Sequence, residues 1–308
     1  MRLPFAIGRY APAAGLVLLG LSLVFGVSAP VVLHAQEESP PASDDVGDTP
    51  GDPASLDVAK KTKKLPPPLT EFKGRVIAQT MHFSGAEWLI RDNREQEERC
   101  SLMLANLGLK RGMKICDMGC GNGFYSLKMA QAVGDKGHIY CVDVQPEMLV
   151  FLNDRADKQG ISNVSPILGT FSDPRLPDGT IDLILLVDVY HEFSYPEQML
   201  AAMRKSLSPN GMIVLVEYRA EDPKVPIKPE HKMTRAQVLK EVLPAGYKLA
   251  KEYKKLPWQH MMFFARDDAP GIEGAPAEEA EEEPADAPAK SSTQKSSRRP
   301  AATKKSEE

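Results

Sequence analysis

The 308-residue sequence is short of the features that mark disulfide scaffolds, zinc proteins and nucleic-acid-binding proteins. Its four cysteines are too few for a disulfide framework in a chain of this length, and they lack the paired spacing of a zinc site. Residues 69–267 carry 26 basic and 25 acidic side chains, which argues against a surface that follows nucleic-acid phosphates. We therefore predict no nucleic-acid partner, and no repeat of fixed period is visible.

The N-terminus has the pattern of an export signal. A positively charged start is followed by an uncharged, largely apolar run from Tyr10 to Gln36. Cleavage is expected after Ala35, or alternatively after Ala29. If neither site is cut, residues 10–33 are just long enough to stay as a membrane anchor, since about 20 apolar residues cross a bilayer. Residues 1–35 are thus predicted to be a signal peptide or anchor of a periplasmic or envelope protein, and an uncleaved anchor could also hold it on the cytoplasmic side.

Two further segments have the composition of unfolded chain. Residues 36–68 are rich in Pro, Asp, Ser and Gly, and predict a disordered linker. Residues 268–308 pass from an Ala/Pro/Glu block to a Ser/Lys/Arg block, and predict a disordered charged tail rather than a docking site. The folded domain is therefore predicted over residues 69–267.

Within that domain, short apolar runs alternate with helical patterns, as in a parallel sheet covered by helices on both faces. The predicted strands are 114–118, 138–143, 164–168, 181–187 and 212–218, and the predicted helices are 124–132, 146–158, 196–207 and 234–243. A hairpin is predicted over 247–253 and 259–265, and a helix outside the alternation over 94–107. The sequence thus predicts the α/β class, with a doubly wound, mostly parallel seven-stranded sheet, a C-terminal antiparallel hairpin strand and an N-terminal helical extension.

A glycine-rich turn follows the first predicted strand, where residues 115–118 read ICDM and residues 119–123 read GCGNG. Such a turn lets the backbone approach a ligand closely and aims helix N-terminal N–H groups at it. A phosphate-binding P-loop would end in Gly-Lys-Ser/Thr, but Phe124 and Tyr125 stand there. A dinucleotide fingerprint would place its third glycine at position 124, which counts against NAD. A tight turn without any ligand is the remaining alternative.

The acid at Asp117, two residues before this Gly-x-Gly-x-Gly turn, resembles the first motif of class I S-adenosylmethionine (SAM)-dependent methyltransferases. A second similarity is Asp143, which ends the second strand where the family has an acid that binds both ribose hydroxyls. Residues 182–193 resemble the family segment that lines the methionine end and the acceptor pocket. The resemblance covers about residues 110–264 and is closest to the type 11 group of small-molecule methyltransferases. It implies a Rossmann-like SAM-dependent methyltransferase domain that methylates a small-molecule acceptor.

The resemblance also implies a set of cofactor contacts. Asp117 would serve the methionine ammonium directly or through water, and the glycine turn would pass beside the amino-acid and ribose portions. The family often has an acid near the adenine amino group, but this chain leaves open whether Thr170, Phe171 or Asp173 makes that contact. The predicted cofactor residues are Asp117, Gly119, Cys120, Gly121, Gly123, Asp143, Val144, Gln145, Thr170, Phe171 and Asp188.

Polar residues cluster where the fourth and fifth strands of the alternation end. The carboxyl ends of strands in an open α/β sheet meet at one crevice, so these residues are predicted to face the methyl acceptor. His191 or Glu192 could act as a general base, and Arg219 could orient an anionic substrate. The alternative is that Glu217 and Arg219 form an ion pair and His191 caps the next helix. The predicted catalytic residues are His191, Glu192 and Tyr190, and the predicted acceptor contacts here are Glu217 and Arg219.

Two segments outside the sheet are predicted to close the pocket. In the segment 81–91, His82, Trp88 and Arg91 are candidate substrate contacts, with ordinary packing on outer helices as the alternative. The Pro-rich loop 221–232 is a second lid candidate, because long loops at strand carboxyl ends tend to be functional.

Three other interpretations compete with this one. An NAD-type oxidoreductase on a similar sheet is disfavoured by the position of the third glycine. A non-catalytic protein that retains the SAM-binding fold stays open. A metal site could be formed by Asp188, His191, Glu192 and His231. The spacing of these residues matches no dedicated metal-ligand motif, so the sequence predicts no metal.

Overall fold

The computed structural model describes residues 65–275. The predicted signal or anchor, residues 1–35, lies outside the described residues, as do residues 36–64 and 276–308. The described chain continues past the predicted domain end, since the Ala275 N–H donates a 2.7 Å hydrogen bond to the Leu249 carbonyl. Within residues 65–275, no helix combines the length and apolar character that a membrane crossing requires.

The N-terminal part consists of short elements. They are strands β1 (Glu71–Phe72) and β2 (Arg75–Val76), a 3₁₀ helix (Phe83–Ile90), and helices α1 (Arg94–Glu98) and α2 (Cys100–Asn106). The single helix predicted over 94–107 is wrong, because Arg99 has a left-handed φ of 53° that ends α1 and starts α2 in a new direction. This break allows Glu98 and Cys100, on either side of it, both to be buried.

The remaining elements build one sheet with helices on its faces. In chain order they are β3 (Lys114–Met118), α3 (Phe124–Val133), β4 (His138–Asp143), α4 (Pro146–Gln159), β5 (Val164–Leu168), β6 (Ile181–Val187), a 3₁₀ turn (Tyr190–Glu192), α5 (Pro196–Ser206), β7 (Leu207–Tyr218), a 3₁₀ turn (Pro229–His231), α6 (Arg235–Val242), a 3₁₀ turn (Leu243–Ala245), β8 (Tyr247–Glu252) and β9 (Gln259–Arg266). β7 begins earlier than predicted, because Leu207 pairs with Ile181 across a register shift.

The seven strands lie in the order β5-β4-β3-β6-β7-β9-β8. The first five are mutually parallel, and β9 pairs antiparallel with both β7 and β8. This confirms the predicted Rossmann-like, mostly parallel seven-stranded sheet with its C-terminal antiparallel hairpin. Strand order reverses at β3, which has β4 on one side and β6 on the other, and such a switch point opens a crevice beyond the strand carboxyl ends.

The inner strands β3, β4, β6 and β7 are largely buried on both faces, as their apolar runs require. Neighbouring residues of one strand alternate between two cores: Ile115 packs in one and Cys116 in the other, and Leu183 and Ile184 divide in the same way. All four cysteines are buried and free of disulfides. Since both faces are covered by helices, the ends of the strands are where polar side chains can gather around a ligand.

Candidate functional site

A cavity of about 810 Å³ opens at the carboxyl ends of β3, β4 and β6, where strand order reverses. Its volume is in the range of small-molecule binding sites. The strand ends, the N-terminal segment 79–94 and the Pro-rich loop 226–231 supply the walls. It brings together these predicted residues: His82, Trp88, Gly119, Gly121, Asp143, Val144, Gln145, Thr170, Phe171, Asp188, His191 and Glu192.

Two glycines of the turn form part of the cavity wall. Gly119 and Gly121 have left-handed φ values of 69° and 53°. A Cβ added to Gly119 would lie 2.6 Å from a methyl of Val189, and one added to Gly121 would lie 2.5 Å from Leu89 Cδ1. The turn therefore needs glycine both for its backbone conformation and for the space beside it. Cys120 and Gly123, also predicted to touch the cofactor, do not line the cavity and pack beneath it.

Asp143 ties the glycine turn to the end of β4. Its Oδ2 accepts a 2.9 Å hydrogen bond from the Gly121 N–H, and its Oδ1 accepts one of 2.9 Å from the Gln145 N–H. Burial raises the pKa of the Asp143 carboxyl. A carboxylate has about four acceptor positions, so the two backbone bonds leave capacity for hydroxyl donors from the cavity. The structure thus places Asp143 on the cavity wall, and its contact with a ribose stays a prediction.

Asp117 has a different position from the one that a direct cofactor contact requires. Its side chain is buried and lies outside the cavity lining, and its Oδ2 accepts a 2.5 Å hydrogen bond from the Ser126 hydroxyl. Burial raises the pKa of Asp117 to about 6. A direct contact with the methionine ammonium is therefore not supported, and a contact through water stays a prediction.

Replacing Asp117 with asparagine is expected to stabilise the fold by about 1–3 kcal/mol above pH 6 and by much less below pH 4. The raised pKa means that the folded state binds a proton more tightly than the unfolded state, so wild-type stability falls as pH rises between these values. Urea unfolding at pH 4 and pH 8 measures the difference. A variant that gains no stability at pH 8 contradicts this, and unchanged SAM affinity contradicts the water-mediated contact.

Arg94 and Asp188 form one polar part of the cavity wall. The buried Arg94 guanidinium donates to Glu98 Oε2 at 2.9 Å and to the Leu89 carbonyl at 2.7 Å. Asp188 accepts from the Gln259 amide at 2.8 Å through Oδ2, and burial raises the pKa of this acid well above its usual range. Its Oδ1 is the single buried side-chain polar atom without a hydrogen-bond partner in the described part of the chain.

An unpartnered buried oxygen is costly unless a donor satisfies it when a ligand binds. Asp188 offers an acceptor for an ammonium group, and Arg94 offers a cation for a carboxylate, within one cavity. This pair suits the zwitterionic end of an amino acid. The sequence predicted Asp188 but not Arg94, whose only sequence signal was its place in the helical extension.

His191 belongs to a second polar group in the cavity, and the buried acid Glu217 holds its ring in place. Its Nδ1 is 2.6 Å from Glu217 Oε2, and the second oxygen of Glu217 accepts a 2.8 Å hydrogen bond from the Tyr190 N–H. Burial alone would lower the pKa of His191, but the Glu217 carboxylate outweighs burial and raises it. The alternative Glu217–Arg219 ion pair is wrong, because Glu217 pairs with His191 instead.

Two more groups complete this end of the cavity. His191 Nε2 lies 3.1 Å from Nδ1 of His231, which comes from the Pro-rich loop. The Glu192 carboxylate accepts a 3.3 Å hydrogen bond from the Met81 N–H, and burial raises the pKa of Glu192 to about 7. The second lid candidate therefore does reach the cavity, through residues 226–231.

Three predicted site residues point away from the cavity. Tyr190, predicted to be catalytic, is fully buried, and its hydroxyl donates a 2.9 Å hydrogen bond to Glu241 Oε2. Arg219, predicted to orient an anion, donates to backbone carbonyls in the turn 256–259. Glu217 does not line the cavity either and acts on it only by holding His191. A catalytic role for Tyr190 and direct substrate contacts by Glu217 and Arg219 are therefore corrected to structural roles.

The N-terminal segment lines the cavity as predicted, but the residues that hold it in place differ from the predicted ones. His82 and the half-exposed Trp88 line the cavity, whereas Arg91 stacks 3.7 Å above the Trp88 ring and pairs with acids of α1. Gln145 holds the segment in place: its Oε1 accepts from the Phe83 N–H at 2.8 Å, and its Nε2 donates to the Met81 carbonyl at 2.9 Å. Arg91 is therefore a support for Trp88 and not a direct contact.

A family model described as a methyltransferase domain matches residues 109–266, just over half of the chain. The chain belongs to the methyltransferase domain family. This confirms the resemblance to SAM-dependent methyltransferases and disfavours an NAD-type oxidoreductase. The matched range begins before β3 and ends with β9, so it leaves out the N-terminal segment that covers the cavity.

Two curated methyltransferases are similar to part of this chain. The chain is 28% identical over 129 residues to the ubiquinone/menaquinone biosynthesis C-methyltransferase UbiE of Shewanella oneidensis, covering 42% of this chain and 48% of that protein. It is 25% identical over 151 residues to the demethylmenaquinone methyltransferase of Listeria welshimeri, covering 49% and 62% respectively. The chain thus spans about half the length of the curated relatives that it matches.

A solved structure supports the same fold. The SAM-dependent methyltransferase from Aquifex aeolicus is 25% identical to this chain and superposes with a TM-score of 0.57, covering 60% of this chain and 98% of that one. The sheet and helices described above therefore have the same arrangement as in this SAM-dependent methyltransferase.

Proposed function

We propose that this protein is a SAM-dependent methyltransferase that acts on a small, partly apolar acceptor. The observation that carries the proposal is the unpartnered Oδ1 of Asp188, buried in a cavity that also contains Arg94 and the glycine turn. A buried acceptor, a buried cation and bare backbone match a ligand that carries an ammonium and a carboxylate but no phosphate.

The residues present can hold each part of SAM. Asp188 and Arg94 would bind the ammonium and carboxylate, and Asp143 would accept from the ribose hydroxyls. Val144, Gln145 and the half-exposed Phe171, which line the cavity, would contact the adenine. When bound, SAM supplies a methyl group activated by its sulfonium. The chain's own contribution is to fix that methyl group in line with an acceptor and to exclude water.

The acceptor side combines polar and apolar groups. His191, Glu192 and His231 present ligand atoms that lie within 4.8 Å of one another, while Met199, Phe193 and Ile227 give apolar walls beside them. We infer an acceptor with an apolar body and one hydrogen-bonding or ionisable group near its nucleophilic atom. The names of the curated relatives include demethylmenaquinone, which makes isoprenoid quinones one class to test.

Calorimetry of the full chain with SAM, S-adenosylhomocysteine and NAD tests the cofactor assignment. We expect SAM to bind with micromolar affinity, about −8 kcal/mol, and NAD not to bind. Transfer of radiolabelled methyl groups to a panel of quinols, phenols, amines and thiols then tests the acceptor class. Binding of NAD without binding of SAM overturns the proposal, and SAM binding without transfer to any acceptor favours a non-catalytic SAM-binding protein.

Replacing Asp143 with alanine is expected to weaken SAM binding by about ten- to a hundredfold. The variant loses a charge-assisted pair of hydrogen bonds to the ribose, worth about 1.5–3 kcal/mol. Calorimetry measures the loss, and Asp154→Ala, an exposed acid on α4, is the matched control. Normal SAM affinity in the Asp143 variant would show that the motif assignment is wrong.

Replacing His191 with asparagine is expected to lower turnover by at least about tenfold while SAM affinity changes less than about threefold. Asparagine keeps a donor near the Nδ1 position, so Glu217 retains its partner, but the variant lacks the Nε2 atom at the acceptor side. Initial rates at saturating SAM and calorimetry separate the two quantities. Unchanged turnover would place the acceptor elsewhere in the cavity.

We also propose that the catalytic domain, residues 69–267, is exported or membrane-anchored through residues 1–35, with charged segments on both sides of it. The support is the uncharged run 10–36 after a basic start. Cell fractionation with N-terminal sequencing of the mature protein tests this. A protein that retains Met1 and partitions with the soluble cytoplasm contradicts it.

A further inference from the structure

The three polar groups at the acceptor end of the cavity have the arrangement of a metal-ligand set. One ligand atom each from His191, Glu192 and His231 falls within a span of 4.8 Å, and the two imidazole nitrogens are 3.1 Å apart. Two nitrogens bound to one tetrahedral zinc ion at about 2.0–2.1 Å lie about 3.3–3.4 Å from each other. The observed separation is a hydrogen-bond distance about 0.2–0.3 Å shorter than this, so the two rings must separate slightly and turn their lone pairs toward a common point to hold a cation.

Glu217 gives this set the support that metal-bound histidines usually have. Its carboxylate is fully buried, lies 2.6 Å from Nδ1 of His191 and is held by the Tyr190 N–H. A proton on Nδ1 that is donated to Glu217 leaves the lone pair on Nε2, directed toward His231. Carboxylates in this position fix the tautomer and orientation of metal-binding histidines.

The charges around the set favour a cation. Two carboxylates, Glu192 and Glu217, flank His191. Arg75 donates to the His191 carbonyl, but its guanidinium is already paired with Glu241 at 2.7 Å. Lys228 lines the same cavity just before the 3₁₀ turn of His231, so its ammonium opposes part of this attraction. Buried carboxylates are stable when a cation or hydrogen bonds compensate their charge, and a divalent ion would do so here.

We propose that His191, His231 and Glu192 bind one divalent transition-metal ion, with zinc as the preferred cation. Two histidines and one carboxylate with an open position are typical of catalytic rather than closed structural zinc sites. All three residues line the cavity, so the open position faces it. Since His231 comes from the Pro-rich loop and His191 follows β6, the cation would also fasten this loop to the sheet. The binding of the ion does not depend on the proposed methyl transfer.

The full chain, without a histidine tag and stripped by a chelator, is titrated with Zn²⁺ in a calorimeter and with Co²⁺ in visible absorption. We expect one ion per chain at micromolar or tighter affinity, and Co²⁺ bands of a four- or five-coordinate site. His231→Gln is expected to weaken binding at least about tenfold. His138→Gln is the matched control, since this histidine contacts Ser165 and lies outside the cavity, and it should bind like wild type.

Two further variants keep the test decisive if His231→Gln is unstable by circular dichroism. Glu192→Gln removes a ligand oxygen's charge, and Glu217→Gln removes the acid behind His191; each should weaken Zn²⁺ about tenfold or more. Absence of saturable Zn²⁺ binding, or equal binding by wild type and these variants, overturns the proposal and leaves a hydrogen-bonded histidine pair. SAM titration of the same samples separates this result from the proposed function: metal-free protein that binds SAM but no Zn²⁺ counts against the metal site alone.

Discussion

Replacing Gly121 with valine is expected to reduce SAM affinity by at least about a hundredfold, or about 2.7 kcal/mol. Gly121 has a left-handed φ of 53°, a conformation that costs a side-chain-bearing residue about 1–2 kcal/mol and a β-branched residue more. Its new Cβ would also lie 2.5 Å from Leu89 Cδ1, so Leu89 must move in the cavity wall. The variant further disturbs the N–H that donates to Asp143, which joins the turn to the end of β4.

Gly108→Val is the matched control for this variant. Gly108 also has a left-handed φ, of 75°, but an added Cβ there meets no atom within 4 Å, and the residue is outside the cavity. Both variants should therefore lose stability through backbone strain, whereas only the Gly121 variant should lose SAM. Thermal unfolding and calorimetry on the two proteins separate strain from ligand exclusion. Equal SAM affinity in the two variants would contradict the role assigned to the turn.

The sheet could be predicted because its signals are local. β6 reads Ile-Asp-Leu-Ile-Leu-Leu-Val, and its length of seven residues within an alternating pattern favours a strand buried on both faces. The turn at residues 119–123 could be predicted in the same way, because its three glycines are the residue type that adopts positive φ values, and all three do so in the structure. Asp143 could be placed at the cavity because strand carboxyl ends share one edge.

Side-chain direction after a strand ends could not be predicted in the same way. Asp188 has a left-handed φ of 55°, and a 3₁₀ turn follows at once, so the two-residue alternation of the strand no longer applies. As a result Tyr190 turns into the core while His191 and Glu192 reach the cavity. Arg219 shows a second limit, because its partners are backbone carbonyls that carry no sequence signature.

Tertiary proximity accounts for the residues that the sequence missed or separated. Arg94 lines the cavity although it lies outside the sheet, and no periodicity in the segment 94–107 signals either this position or the helix break at Arg99. His231 is 40 positions from His191, in a loop without regular spacing, yet their imidazoles are 3.1 Å apart. Such a pair becomes visible only when the loop is placed over the strand ends.

The side chain of Glu98 connects several parts of the N-terminal segment that covers the cavity. It is buried, accepts from Arg94 at 2.9 Å and from Arg91 at 2.6 Å, and also accepts a 3.0 Å hydrogen bond from the Tyr218 hydroxyl at the end of β7. It therefore joins the helical extension to the sheet. It also compensates the charge of Arg94, which is the proposed partner of the SAM carboxylate.

Replacing Glu98 with alanine is expected to destabilise the fold by about 3–5 kcal/mol, because it leaves the buried Arg94 guanidinium without its carboxylate. Glu97→Ala is the matched control: Glu97 is more exposed, pairs with the same Arg91, and should cost less than about 1 kcal/mol. Urea unfolding of both variants measures the contrast, which is large against a typical total stability of about 5–15 kcal/mol. If the two variants unfold at the same urea concentration, Arg94 is compensated by another acid, and Asp188, which already acts electrostatically with it, is the residue to replace next.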